Sequence, residues 1–176
     1  MKTEILEPVK TATPPTTSRD DDLEPAPNTI HLKNILVPLD LSEMSLKSLQ
    51  YAVPFAKQFG AKLTLLHVLR PPACPSPYPY PGPLGMGHLE VIERRLDEIR
   101  AAKIPPEQPV DVAVRQGFAF EGILEVAREI HADLIITTTH GRTGVTHLLL
   151  GSTAENIVRQ APCPVFVVRE CEHDFV

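Results

Sequence analysis

The chain has 176 residues, 43% of them hydrophobic, and carries 17 Lys and Arg against 22 Asp and Glu, a formal charge of −5. That length suits one domain with a full core plus extra segments. The acidic balance and scattered basic residues exclude a nucleic-acid binder, which needs clustered Lys and Arg to meet phosphates, and no apolar run reaches the roughly 20 residues that cross a bilayer.

Residues 1–33 are rich in Pro, Thr and acidic side chains and show no sustained hydrophobic period. They can bury too little apolar surface to offset the entropy of ordering, which predicts a disordered tail. A docking or regulatory arm and a plain solvated extension are both open for it. Glu4, Glu7 and Asp20 to Asp22 are wrong for a secretory h-region and for an acidic-poor transit peptide. Cys74, Cys163 and Cys171 have no metal-ligand spacing and read as reduced thiols in a cytoplasm. Cys163, between Pro162 and Pro164, reads as a small packing residue.

Asn34–Pro38 (NILVP) is predicted as a short buried strand. Leu46, Leu49, Val53 and Ala56 then recur at helical spacing, and Gly60 closes that helix. Pro54 lies inside it and removes a backbone donor, so a kink or break is expected there. Lys62–Leu69 (KLTLLHVL) is a second buried strand, dense in Leu and Val. Residues 71–84 hold seven prolines with Tyr78 and Tyr80. Such a stretch cannot feed a central ladder and predicts an extended loop, either a stiff spacer or a dock for a partner.

From His88 onward, Leu89, Ile92, Leu96 and Ile99 mark a second amphipathic helix. Val110–Val114 (VDVAV) alternates as a third strand, and Phe120, Ile123, Leu124, Ala127 and Ile130 stripe a third helix. Asp133–Thr137 is the fourth strand. Ser152 and Glu155 have capping-box spacing at the start of a last helix, and Val165–Val168 is a fifth strand. Five strands alternating with helices predict an α/β fold, an open parallel sheet with helices on both faces. One domain over residues 34–170, with the Pro-rich loop 71–87 inside it and a short tail 171–176, is the expected organisation.

Chemistry concentrates in residues 134–169, LIITTTHGRTGVTHLLLGSTAENIVRQAPCPVFVVR. A strand runs into a small polar turn around Gly141 and Gly144, and Gly151-Ser152 then opens a helix. Backbone-rich turns beside a helix N-terminus suit an anion, because unpaired N–H groups and the positive dipole end point there. Gly141 and Gly144 permit positive φ and close approach. The plainer alternative is a surface loop, and the Ser152 hydroxyl has a competing use as a helix cap.

This segment resembles the universal stress protein family, whose nucleotide-binding members carry G-x2-G-x9-G-(S/T). Gly141 matches the second glycine, nine residues precede Gly151, and Ser152 supplies the hydroxyl. The first glycine falls on Thr138, a departure. NILVPLDLSEMSLKSLQYAVPFAKQFGAKLTLLHVLRP (34–71) looks like the family's opening β-α-β unit. The resemblance spans roughly residues 34–169 and implies the strand order 3-2-1-4-5, which places the switch point between strands one and four.

The resemblance also implies site residues. Asp40, after strand one, matches the Asp that lies beside the ligand and its metal in nucleotide-binding relatives. On residues alone it could cap the next helix, with Ser42 competing. Pro38 and Leu39 would line the same crevice through their backbone, Leu39 standing where such members often have Thr. Val68 matches the position whose backbone contacts adenine. Thr153 follows Ser152 into the helix start. His140 is a candidate donor to a phosphate oxygen, and Arg142 reaches the same oxygens or stays solvated. His67, in an apolar strand, reads as a satisfied core histidine, and His147 has no assigned role. Thr138 brings a β-branch where the backbone runs against ribose and phosphates, while Thr137, Thr138 and Thr139 also offer hydroxyls to them.

Three functions follow for weighing. The first is a regulatory protein that binds ATP, with or without Mg, and pairs as a homodimer through its last strand, Val165, Phe166, Val167 and Val168. The second is a dimeric interaction module of the same fold that binds no nucleotide. The third, a dedicated enzyme, lacks a Ser/Gly-rich loop after strand one and any readable triad, paired acids or metal cluster. At most slow ATP hydrolysis is expected.

Overall fold

The computed structural model describes residues 29–70, 86–139 and 151–169. The chain divides into Met1–Ile30 and His31–Val176, and the fold belongs to the second unit. Most of the predicted tail, most of the Pro-rich loop, the C-terminal tail and the turn holding His140, Gly141, Arg142 and Gly144 lie outside the described residues.

Nine elements follow one another: β1 (Asn34–Pro38), α1 (Glu43–Phe59), β2 (Lys62–Leu69), α2 (Met86–Lys103), β3 (Val110–Gln116), α3 (Ala119–Glu129), β4 (Leu134–Thr138), α4 (Ser152–Gln160) and β5 (Val165–Val168). The strands form one parallel sheet in the order β3-β2-β1-β4-β5. This is the architecture and strand order that the sequence and its resemblance lead one to expect.

Two cores sandwich the sheet. On one face Val37, Leu63, Leu65 and Ile136 pack with Leu49, Ala52 and Ala56 of α1 and Leu96 and Ile99 of α2. On the other, Leu36, Leu66 and Ile135 pack with Ile123, Val126 and Ala127 of α3 and Ile157 of α4. Successive residues of one strand feed opposite faces, as the pleat requires, and a strand buried on both sides must be apolar throughout.

Local details refine the reading. Gly60 ends α1 with φ 65, its N–H reaching the Ala56 carbonyl, a left-handed cap that glycine adopts without a Cβ penalty. No break occurs at Pro54; α1 runs unbroken through it. The carbonyl that Pro54 leaves without a helical donor belongs to Gln50, an exposed residue, where water can replace the lost bond. β3 extends two residues beyond the predicted strand because Arg115 and Gln116 pair with Val68 and Leu69. β4 runs one residue further than predicted, to Thr138, opposite Val168.

Candidate functional site

Parallel strands end together, so the residues leaving β1, β2 and β4 emerge on one rim. At the tip of β1 the Leu39 N–H donates to the Leu66 carbonyl at 2.8 Å. On the same rim, Nδ1 of the buried His67 meets the Leu39 carbonyl at 2.7 Å. A carbonyl only accepts, so Nδ1 is the donor. His67 is thus the satisfied core histidine expected, and it also straps β2 to the tip of β1. Leu39 buries its side chain in the α1-side core, and both its peptide groups are engaged within the protein.

The next three residues form a locked turn. One oxygen of Asp40, Oδ1, accepts from the Ser42 N–H at 3.0 Å and from the Ser42 hydroxyl. Ser42 Oγ in turn accepts the Ser45 N–H at 3.1 Å and caps α1. Ser42, not Asp40, is therefore the helix cap, and it orients the Asp40 carboxylate. Leu41 between them is left-handed, with φ 66, a conformation that costs a residue with a Cβ about 1–2 kcal/mol. The Asp40–Ser42 bonds and the packing of Leu41 against the core offset that cost.

Across the rim, Thr137, Thr138 and Thr139 are buried at the end of β4. Thr138 is not among the described non-glycine residues with positive φ, which are Leu41 and His131. It sits in the ladder opposite Val168, so the backbone here makes no demand that only glycine could meet. The Thr139 carbonyl accepts the Gly151 N–H at 2.9 Å and pins the start of α4 to the end of β4. The capping box predicted for this helix does not form. Gly151, not Ser152, is the N-cap, the Glu155 N–H bonds the Gly151 carbonyl at 2.9 Å, and the Glu155 side chain pairs with Arg159. The Ser152 hydroxyl is therefore not spent on the cap.

Between these elements lies a cavity of about 490 Å³. It gathers Pro38, Leu39, Asp40, Val68, Thr138, Gly151, Ser152 and Thr153 from the residues predicted for the site. It also takes in residues that were not singled out for the site: Leu66 and Leu69 from β2 and Arg70 just after it, Ala119 and Ile123 from α3, and Ala154 from α4. Arg70 was legible in principle, because a strand running to Leu69 delivers its next residue to the same carboxyl-end rim as Asp40. Ile123 was legible only as core stripe, and Ala119 precedes that stripe and was not read at all.

The cavity is divided in character. Toward β4 and α4 it is polar, with three threonines and the N-terminal turn of α4. Toward β2 and α3 it is apolar, with Leu66, Val68, Ala119 and Ile123. Neither α3 nor α4 has a side-chain cap, their N-cap residues being Phe118 and Gly151. Ala119 and Ser152, the first residue of each helix, both line the cavity, so two positive dipole ends converge on it. Cys163 lies elsewhere, near Asp133; burial first, and then the Asp133 charge, push its thiol pKa up, which suits the packing role expected of it. Among the described residues no group of three His, Cys, Asp or Glu is placed to hold a metal. No helix among them is long and apolar enough to cross a membrane.

Residues 31–169 match the profile described as the universal stress protein family. The chain belongs to the universal stress protein family. A universal stress protein of Methanocaldococcus jannaschii is 32% identical over 146 residues, covering 78% of this chain and 82% of that protein. Among solved structures, the universal stress protein UspA from Lactobacillus plantarum aligns with a TM-score of 0.63 at 26% identity, covering 80% of this chain and 100% of its own. A universal stress protein solved in complex with cAMP aligns with a TM-score of 0.58 at 23% identity, covering 80% and 98%; at that identity the likeness is one of fold.

Proposed function

We propose that this universal stress protein binds an adenine nucleotide, ATP or a smaller relative, in the cavity between the tips of β1 and β4, and acts as a regulatory homodimer. The observation that carries the reading is the convergence of Asp40, the β4 threonines and the uncapped start of α4 on one hollow. A second protein of this fold binding cAMP supports the choice of adenine. The phosphates belong at the α4 end, where the Ser152 and Thr153 N–H groups and the helix dipole favour an anion, and His140, Gly141, Arg142 and Gly144 are proposed as further contacts to them. The base belongs at the apolar end beside Val68.

A Mg ion carried in on the phosphates fits this lining. Mg is commonly held by one or two carboxylates plus phosphate oxygens and water, and Asp40 is a carboxylate already oriented by Ser42. Nucleotide binding would bias the conformation or partner affinity of the dimer, with no dedicated reaction. β5 is an edge strand, and an apolar edge is a pairing surface that a second copy would cover. Its Phe166 ring already packs 5.6 Å from those of Tyr51 and Phe55 on the α1 side.

Calorimetric titration with MgATP should show saturable binding with a Kd in the micromolar range or weaker. Flat heats, together with no adenine nucleotide released on denaturing the purified protein, would favour the second reading, an interaction module that binds no nucleotide. Thr138, which lines the cavity where the family pattern has glycine, is the observation on that side.

A further inference from the structure

We propose that Gly122 sets the depth of the apolar end of the cavity: the hollow left by its missing side chain seats Val68, and so leaves room for a planar purine ring against Val68 and Ile123. This rests on the nucleotide-binding reading and assigns its base-selecting wall to a residue outside the cavity lining.

The geometry is specific. Gly122 is buried in the first turns of α3. A Cβ built on it would stand 3.1 and 3.2 Å from the two methyls of Val68, with the Arg115 Cβ next at 3.8 Å. Both Val68 contacts are tighter than side chains normally keep, so something must give. The helix is poorly placed to yield. The Gly117 N–H donates to the Leu69 carbonyl at 2.9 Å and fastens the approach to α3 onto the end of β2. Ile123, the next residue, is buried against Leu66 in the core beneath. Val68 has space on its far side, because that side is the cavity. A methyl added at Gly122 therefore displaces Val68 into the volume that the base would occupy.

The consequence is a dissociation of stability from binding. Alanine is the better helix former, and the displaced side chain moves into open space, so folding should not suffer. In Gly122→Ala the thermal midpoint should stay within about 3 °C of the parent or rise. Affinity for AMP, read by calorimetry, should fall about tenfold or more, the usual effect of one methyl group in an apolar pocket. Val68→Ala alone should also weaken AMP binding, because Val68 faces the base, but adding Gly122→Ala to it should cost less than about threefold, since coupled neighbours respond non-additively.

The Val68 methyl resonances in the nucleotide-free protein give a readout that needs no ligand. They should shift in Gly122→Ala and show contacts to the new methyl. Unchanged Val68 resonances would overturn the proposal. So would unchanged AMP affinity in Gly122→Ala, or a loss from Gly122→Ala as large in the Val68→Ala background as in the parent. If the parent protein binds no adenine nucleotide, the functional reading falls, and the Val68 shifts alone then decide whether Gly122 seats that side chain.

Discussion

Replacing Gly151 with valine is expected to abolish adenine-nucleotide binding while leaving the sheet intact. Gly151 has φ −59 and ψ 147, angles open to any residue, so the requirement for glycine here is steric. A Cβ would stand 3.1 Å from the Thr139 carbonyl oxygen, the same oxygen that accepts the Gly151 N–H at 2.9 Å. That neighbour is backbone held at the end of β4, so it cannot swing aside. The start of α4 must move instead, carrying with it the N–H groups proposed to hold the phosphates. Overpacking of this kind typically costs about 1–3 kcal/mol of stability. Binding should suffer more, falling about 100-fold or beyond, which corresponds to about 2.7 kcal/mol. Urea melts and calorimetry on the same preparation check both. Undiminished affinity in a folded Gly151→Val protein would remove α4 from the site.

Asp40 is expected to separate geometry from charge. Asp40→Ala frees the Ser42 N–H and hydroxyl and releases Leu41 from a turn it occupies at φ 66. A stability loss of about 1–3 kcal/mol follows from the broken bonds, and MgATP affinity should fall by about 10- to 100-fold, or roughly 1.4–2.7 kcal/mol. Asp40→Asn keeps an oxygen in the place of Oδ1, so the turn should hold. It loses the negative charge, so the advantage of MgATP over metal-free ATP should shrink or vanish. Parallel titrations with and without Mg measure this. If Asp40→Asn keeps the full Mg dependence, Asp40 serves the turn alone.

The three central strands, β2, β1 and β4, were legible because they are buried on both faces. β2 reads as one apolar run from Lys62 to Leu69, and its limits are those of the structure. β3 was read two residues short because Arg115 and Gln116 are polar, and only their pairing with Val68 and Leu69 keeps them in the ladder. The capping box failed for a related reason. Ser152 and Glu155 have the right spacing, but a backbone bond from Gly151 to Thr139 moves the helix start back by one residue. Glu155 is then drawn to Arg159.

At the site, Asp40 could be placed at a strand's carboxyl end from the sequence, whereas the role of Val68 and the pairing of β1 with β4 came from the family resemblance. The contact between Gly122 and Val68 could be read from neither. In the sequence Gly122 is one glycine in a helical stripe, and nothing local shows that a strand side chain fills its hollow. His67 shows the same limit: its burial follows from its apolar neighbours, but its bond to the Leu39 carbonyl is a fact of β1 and β2 lying side by side.

Amide NMR of the full chain titrated with MgATP locates the ligand residue by residue. Saturable shifts are expected at Asp40, Val68, Thr138 and Gly151 to Thr153, together on one binding curve. No shifts up to millimolar nucleotide, or shifts confined to the groove beside α1 near Glu43, Gln50 and Lys103, would contradict that placement.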